Sequence, residues 1–442
     1  MVQLTATTTL RSDTVSGKSK PYLSKTALFK YSAMAFPLAF AGLPIYLHAP
    51  DYYAVSLGQN LATIGLILLA LRLIDAFQDP FIGSLSDRFH EHRNLVIAIG
   101  TLMLGGGFWM LFNPVTTSPL IWFAASVLIC TTGFSVVTIN LQALGGLWRC
   151  SSEDRTQVTG SREALGLLGL LTAAITPPLL AKWLGSAGAF QMLTIAYLPL
   201  LAVAFWFLVS WTRSAPLLNP VGTKHQNGWL GLLNDKWRVI FFGLTFVNTF
   251  SSAIPAVLVM FFIRDRLGAE SYTGLFLLIY FLAGAASMPL WIRLAGQLGK
   301  FRTWQLSLAV AVLTFCWAVL LGRGDIAGYA FVCAFSGFAL GADLALPPAI
   351  LADHIEADNR QSEASRLFSL TALISKSALA IATGVTLPLL SVFGYVPNTP
   401  MTPDLDFALS LTYAALPCVL KLAALFGLLV LEKDLALNKS GV

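Results

Sequence analysis

Apolar runs long enough to cross a lipid bilayer recur through this chain, and nothing else constrains its fold as strongly. A helix needs about 20 apolar residues to span the hydrocarbon core. Twelve windows meet that length, at 26–48, 58–84, 94–112, 119–147, 160–184, 188–211, 237–263, 270–296, 302–322, 326–355, 363–393 and 406–431. In lipid each segment must satisfy its own backbone hydrogen bonds, so such runs are expected as helices. The 442 residues are 56% hydrophobic and 11% charged, with a mean hydropathy of +0.72; a soluble domain carries roughly 25% charged residues. The chain reads as an all-α, integral multi-pass membrane protein. Its net charge of +6 is read as basic residues at cytoplasmic helix ends, and no nucleic-acid partner is expected.

The distribution of lysine and arginine sets an orientation. With the N-terminus inside, 21 of the 28 basic residues fall in cytoplasmic segments and helix ends. Such an excess follows the positive-inside rule, so both termini are expected in the cytoplasm and the spans should be even in number. The first 25 residues are polar, which argues against a cleaved signal peptide. The longest polar interruption, 212–236, separates spans six and seven. The expected organisation is therefore a cytoplasmic tail (1–25), a six-helix half (26–211), a cytoplasmic linker (212–236), a second six-helix half (237–431) and a cytoplasmic tail (432–442). Within the linker, WLGLLND suggests a short amphipathic helix on the inner membrane surface. A faint repeat links the halves: EDRTQVTGSREALGLLGL from Glu153 echoes ADNRQSEASRLFSLTAL from Ala357. Two parallel halves around a central site is a common transporter plan.

Span two carries the chemistry. Its LRLIDAFQDPFIGSLSDRFHEHR, from Leu71, places Arg72, Asp75 and Asp79 at spacings of three and four, hence on one helical face. Carboxylates in a lipid-bound segment are costly unless they face partners, water or an ion. One reading is a cation site, in which Pro80 frees the carbonyl of Ala76 as a further oxygen. The alternative is a structural pairing with Arg72. Lys376 lies too deep in span eleven for easy snorkelling; it either exchanges partners with the two carboxylates or forms a plain salt bridge. Lys421, mid-span in span twelve, has no evident partner and reads as packed towards the interface. No counterpart of the two carboxylates stands in span eight, which confines the coupling chemistry to one half.

Span ten adds Asp343 at depth, either within reach of substrate or Lys376 or held in an internal hydrogen-bonding role. Near its inner end are Asp353 and Glu356, placed to form gating ion pairs with Arg360 or Arg366. Arg162 opens span five beside Glu163. Asn140 and Gln142 in span four and Asn248 in span seven either line a cavity or hold helices together. The glycines of spans three and five (Gly105–Gly107, Gly166, Gly169) read as close-packing positions. The five cysteines have neither disulfide nor metal-ligand spacing. No Walker sequence, zinc spacing or nucleophile elbow is present, so no enzyme activity, cofactor or resident metal is expected.

The order of these motifs resembles the glycoside–pentoside–hexuronide:cation symporters, the melibiose-permease-like branch of the major facilitator superfamily. The resemblance covers nearly the whole chain. RLIDAFQDPFIGSLSDR is similar to that family's cation motif, which implies cation-ligand roles for Asp75 and Asp79. SREALGLLGLLTAAITPPLL resembles the segment around its functional arginine and implies that role for Arg162. ADHIEAD, from Ala352, resembles its acidic inner gate, and the spacing from Lys376 to GYVPN matches that of its lysine. The departures fall on the sugar: the galactoside carriers' carboxylates would align near Ala39 and Thr138, and their aromatics near Gln142 and Leu344.

The expected function is cation-coupled secondary transport, with Na+ or H+ as coupling ion and a sugar, glycoside or related small solute as passenger. Asp75 and Asp79 are the expected ion seat, and Arg72, Lys376 and Arg162 the coupling network. Asn140, Gln142, Thr138, Asp343 and Asn248 are the cavity candidates, and Asp353, Glu356, Arg360 and Arg366 the inner gate. An amphipathic passenger such as a lysolipid or fatty acid derivative is the alternative; a non-transporting membrane protein is the third. The protein is expected as a monomer in the cytoplasmic (inner) membrane, its partners being solute, ion and lipid.

Overall fold

The computed structural model describes residues 23–114, 117–218, 229–395 and 402–439. Most of the N-terminal tail, the linker positions Pro220, Lys224 and His225, the VPN of GYVPN and the last three residues lie outside them. Eleven helices among the described residues are long and apolar enough to cross a membrane: α1 (Lys25–Ser56), α3 (His90–Phe112), α4 (Pro119–Gly146), α5 (Ser152–Gly185), α6 (Gly188–Thr212), α7 (Lys236–Arg266), α8 (Glu270–Leu298), α9 (Lys300–Leu320), α10 (Ile326–Ala357), α11 (Gln361–Val392) and α12 (Pro403–Val430). The twelfth, α2 (Leu61–Arg88), is the one that carries Arg72, Asp75 and Asp79. The twelve helices fall into two halves of six, α1–α6 and α7–α12.

Local chemistry sets the helix starts. Asn60 caps α2 through Thr63 N (3.1 Å), Ser151 caps α5 through Asp154 N (3.1 Å), and Asp235 caps α7 through Trp237 N (3.0 Å). The break between α5 and α6 falls at Gly185, whose φ of 69° and ψ of 170° suit a residue without Cβ. The prolines Pro80, Pro255, Pro289, Pro347, Pro348 and Pro388 all stand inside continuous helices, as neighbouring helices allow in a bundle.

Within the first half α3 packs on α4 and α1 on α5–α6; within the second, α8 and α9 pack on α10, and α12 on α7 and α9. The halves meet along α2 against α11, and α5 against α8 and α10. The approach at the first of these seams is close. A Cβ at Gly83 would lie 2.5 Å from Ser369 Oγ and 2.8 Å from the Ser365 carbonyl. Of the glycines read as packing positions, Gly107 sits against the Cys130 backbone and Gly169 against that of Phe36, whereas Gly106 faces open space. The short helix Trp229–Leu232 packs on the second half. Leu232 is fully buried in the second half's core, and the Arg366 guanidinium lies over the Trp229 ring, 4.7 Å from its centroid.

Candidate coupling site, cavity and gate

Lys376 reaches from α11 across the seam to α2. Its Nζ donates to Asp79 Oδ1 (2.9 Å), to the Asp75 carbonyl (3.0 Å) and to Ser135 Oγ on α4 (2.9 Å), and lies 2.9 Å from Asp75 Oδ1 and 2.8 Å from Asp79 Oδ2. An ammonium ion thus occupies a ring of oxygens of the kind that hard cations take. Asp75 and Asp79 are buried, the latter wholly. Asp75 also accepts from Gln78 Nε2 (2.9 Å) and Ser135 Oγ (3.2 Å), and Gln78 is held by Thr132 (3.0 Å). Among the described residues no hydrogen bond is directed at Asp79 Oδ2, which is compensated by the nearby ammonium. Two carboxylates against one lysine leave this cluster one negative charge in excess when all are ionised.

The backbone oxygen in this ring is that of Asp75, not the Ala76 carbonyl expected from Pro80. Ser135 escaped sequence reasoning because a serine in an apolar helix carries no signal of its own; only the fold brings it to Lys376. Arg72 does not join the two carboxylates, although it shares their helical face. It lies over the Tyr46 ring, 4.8 Å from its centroid, and is turned into the cavity between the halves. Arg162 is buried and pairs with its neighbour Glu163, away from the cluster.

That cavity measures about 950 Å³ and is bounded by both halves. It runs from Asp343 and Lys421 at mid-depth to Lys182, Leu275 and Met260 near the helix ends remote from the Asp353 end of α10. Lys421, expected to point towards the interface, is instead the centre of a second buried charge cluster. Its Nζ donates to Asp343 Oδ2 (2.8 Å), Asn248 Oδ1 (2.8 Å) and Ser252 Oγ (3.0 Å), while Trp304 Nε1 donates to Asp343 Oδ1 (3.0 Å). Asp343 therefore answers Lys421 rather than Lys376, and the second half carries a buried ion pair of its own. The partners come from separate spans, which is why spacing along α12 could not reveal them.

The α4 candidates do not line this cavity. Asn140 Nδ2 donates to Ser86 Oγ and the Val136 carbonyl, each at 2.8 Å, so it joins α4 to α2. Thr138 Oγ1, Asn140 Oδ1 and Gln142 Oε1 are buried without a protein partner. They sit in the half of the bundle that is closed.

Closure at that end is ionic. Arg155, at the start of α5, pairs with Asp353 (2.8 Å) and Glu356 of α10; Lys300 of α9 also pairs with Asp353, and Ser152 donates to it (2.7 Å). The expected partners, Arg360 and Arg366, turn to Glu363 instead (2.9 and 3.4 Å). They follow α10 in the same half, whereas Arg155 comes from the other half and can bridge. A second latch has no signal in the sequence: Asp87, at the end of α2, accepts from the backbone N–H groups of Ser365 and Arg366, both at 2.9 Å, at the first turn of α11. A carboxylate there satisfies orphan donors and the helix dipole together. At the start of α7, Asp235 converges with His354 and Asp358 within 4.8 Å, but Arg238 and Arg360 supply the positive charge a metal would bring. Burial acts to raise Asp235, but hydrogen bonds from Arg238 and Trp237 outweigh it and hold the carboxyl below its ordinary value.

Known proteins resemble this chain over most of its length. The isoprimeverose transporter of Lactiplantibacillus pentosus is 22% identical over 423 residues, covering 88% of this chain and 85% of its own. The uncharacterised symporter YjmB of Bacillus subtilis is 21% identical over 402 residues, 85% of each chain. Among solved structures, a bacterial homologue of the iron transporter ferroportin in an outward-facing state superposes with a TM-score of 0.70 at 16% identity, covering 92% of this chain and 98% of its own. The Escherichia coli fucose:proton symporter does so with 0.66 at 11% identity, covering 92% and 99%; at these identities the likeness concerns the fold. Residues 28–432 match the family described as MFS/sugar transport protein, and the chain belongs to that family.

Proposed function

We propose that this chain is a cation-coupled symporter of an organic solute, working by alternating access of the cavity between its halves. The observation that carries the proposal is the Lys376 ammonium seated among Asp75, Asp79 and Ser135. A sodium ion, or a proton on one carboxylate, competes with the lysine for the same oxygens. Its arrival neutralises the excess charge of the cluster and weakens the tie between α2 and α11. The solute enters the cavity, and the Arg155–Asp353/Glu356 and Asp87–α11 latches then part as the halves rock. Linkage requires that solute raise cation affinity by the factor by which cation raises solute affinity.

With both termini in the cytoplasm of an inner-membrane protein, the latched end faces inwards and the cavity faces outwards. A sugar or glycoside is the first reading of the passenger, supported by the relatives' descriptions. The largely apolar cavity wall, with Leu170, Leu171, Ile175, Leu277 and Phe281, favours a second, an amphipathic solute. The test is uptake into proteoliposomes of isoprimeverose and of an amphiphile, under a sodium gradient, a proton gradient or neither. Wild-type protein should take up its solute only with one of the gradients. Asp75→Cys should fold and lose the gradient dependence; undiminished coupled uptake by that variant would sink the proposal.

A further inference from the structure

The charges that face the cavity are unbalanced. Arg72, Lys182 and Lys421 line it against one carboxylate, Asp343. Lys421 is spent on Asp343, Asn248 and Ser252. Arg72 pairs with no carboxylate among the described residues and is backed by the Tyr46 ring alone. Asp75, one turn away, already has Lys376, Gln78 and Ser135 on its side chain. A guanidinium with its donors free, set in an apolar wall, is a site for a planar anionic group taken in two parallel hydrogen bonds. A polyhydroxylated solute would need convergent hydrogen-bonding groups; the lining hydroxyls of Ser251, Ser252, Tyr329, Ser336 and Tyr413 are already hydrogen-bonded within the protein, and much of the remaining wall is leucine, isoleucine, valine and phenylalanine.

We propose that the cavity takes an amphipathic organic anion: a carboxylate on Arg72, and an apolar body along Leu170, Leu171, Ile175, Leu277 and Phe281. Lys182, towards the open end, attracts the same charge during entry. The inference rests on the coupling reading and deepens it. The Asp75–Asp79–Lys376 cluster carries one excess negative charge close to Arg72 and loses it when a monovalent cation binds. The field at Arg72 becomes more positive, so the cation prepares the site for an anion.

The test is binding of radiolabelled octanoate to the purified full-length protein in lipid nanodiscs, in sodium and in choline at neutral and acidic pH. Octanoate should bind, and unlabelled octanoate should displace it while octanamide, octylammonium and xylose do not. Arg72→Gln should weaken binding about tenfold or more, the loss of a charge-assisted pair, and Arg72→Lys less. No octanoate binding, equal displacement by octanamide or xylose, or full affinity in Arg72→Gln would overturn the anion site. The competitor series on wild-type protein decides even if the Arg72 variants do not fold. Anion binding that is indifferent to sodium and pH removes the coupling reading and leaves the anion site. Cation-dependent binding of xylose with no octanoate binding removes the anion site and leaves the coupling reading.

Discussion

At the scale of single residues, Lys376 acts as a tethered cation. Its ammonium takes five oxygen contacts between 2.8 and 3.0 Å, so any free ion must first displace it. Lys376→Met removes the competitor and leaves two buried carboxylates that need a counter-ion, a costly state for unpaired charge. The variant should bind sodium, or retain a proton, about tenfold more tightly, read as cation-dependent protection against thermal unfolding; its transport should lose the coupling of solute to ion. A cation response no stronger than that of wild type would remove the competition argument. This site is partly legible in the sequence. A lysine and two aspartates at membrane depth declare themselves because each is expensive alone. Ser135, Gln78 and Ser252 do not, because small polar residues cost little and acquire meaning only when a distant helix presents a charge; Asn248 stands out as a polar residue in span seven, but not as a partner of Lys421. Arg72 misleads for a related reason: a shared helical face permits contact with Asp75 and Asp79 but does not require it, and an aromatic ring on α1 offers another seat.

At the scale of elements, the closed end is held by two contacts that join helices of opposite halves, and α4 records the consequence of that closure. Thr138, Asn140 and Gln142 each bury a polar atom without a protein partner, at a cost of roughly 1–3 kcal/mol for each such group. Where parting of the halves brings such an atom to water, that cost is relieved. Thr138→Val, which removes one orphan with little change of volume, should therefore stabilise the closed-inside state by up to about 1 kcal/mol and slow transport. The opposite change is expected of Asp87→Ala, which deletes the cap on α11 at a cost of about 1 kcal/mol, and of Arg155→Gln, which deletes the bridge to α10. In a Gln142→Cys background, both should raise the rate at which a membrane-impermeant thiol reagent, applied to the latched side, labels the introduced thiol. An unchanged labelling rate would mean that neither contact holds the halves together. The number and order of the helices can be read from apolar length, since a continuous apolar run of about 20 residues crosses a bilayer as a helix. Which helices touch cannot, and for that reason nearness in sequence points to Arg360 and Arg366 as the gate partners, where the fold supplies Arg155.

At the scale of the whole molecule, the charge moved in one cycle follows from the two clusters taken together. The Lys421–Asp343 pair is internally neutral and Arg72 stays with the protein, so the net charge carried is that of the ion plus that of the solute. One monovalent cation with one monoanionic solute moves none; one cation with a sugar moves a full positive charge. A membrane potential is worth about 2.3 kcal/mol per elementary charge per 100 mV, or roughly 50-fold in accumulation. In proteoliposomes clamped with potassium and valinomycin, octanoate accumulation driven by the cation gradient should be the same at zero potential and at inside-negative potential. A neutral passenger would instead accumulate tens of times further under the negative potential. Strong dependence on potential would therefore reject the anion as passenger while leaving the Asp75–Asp79–Lys376 seat as the place where the driving ion binds.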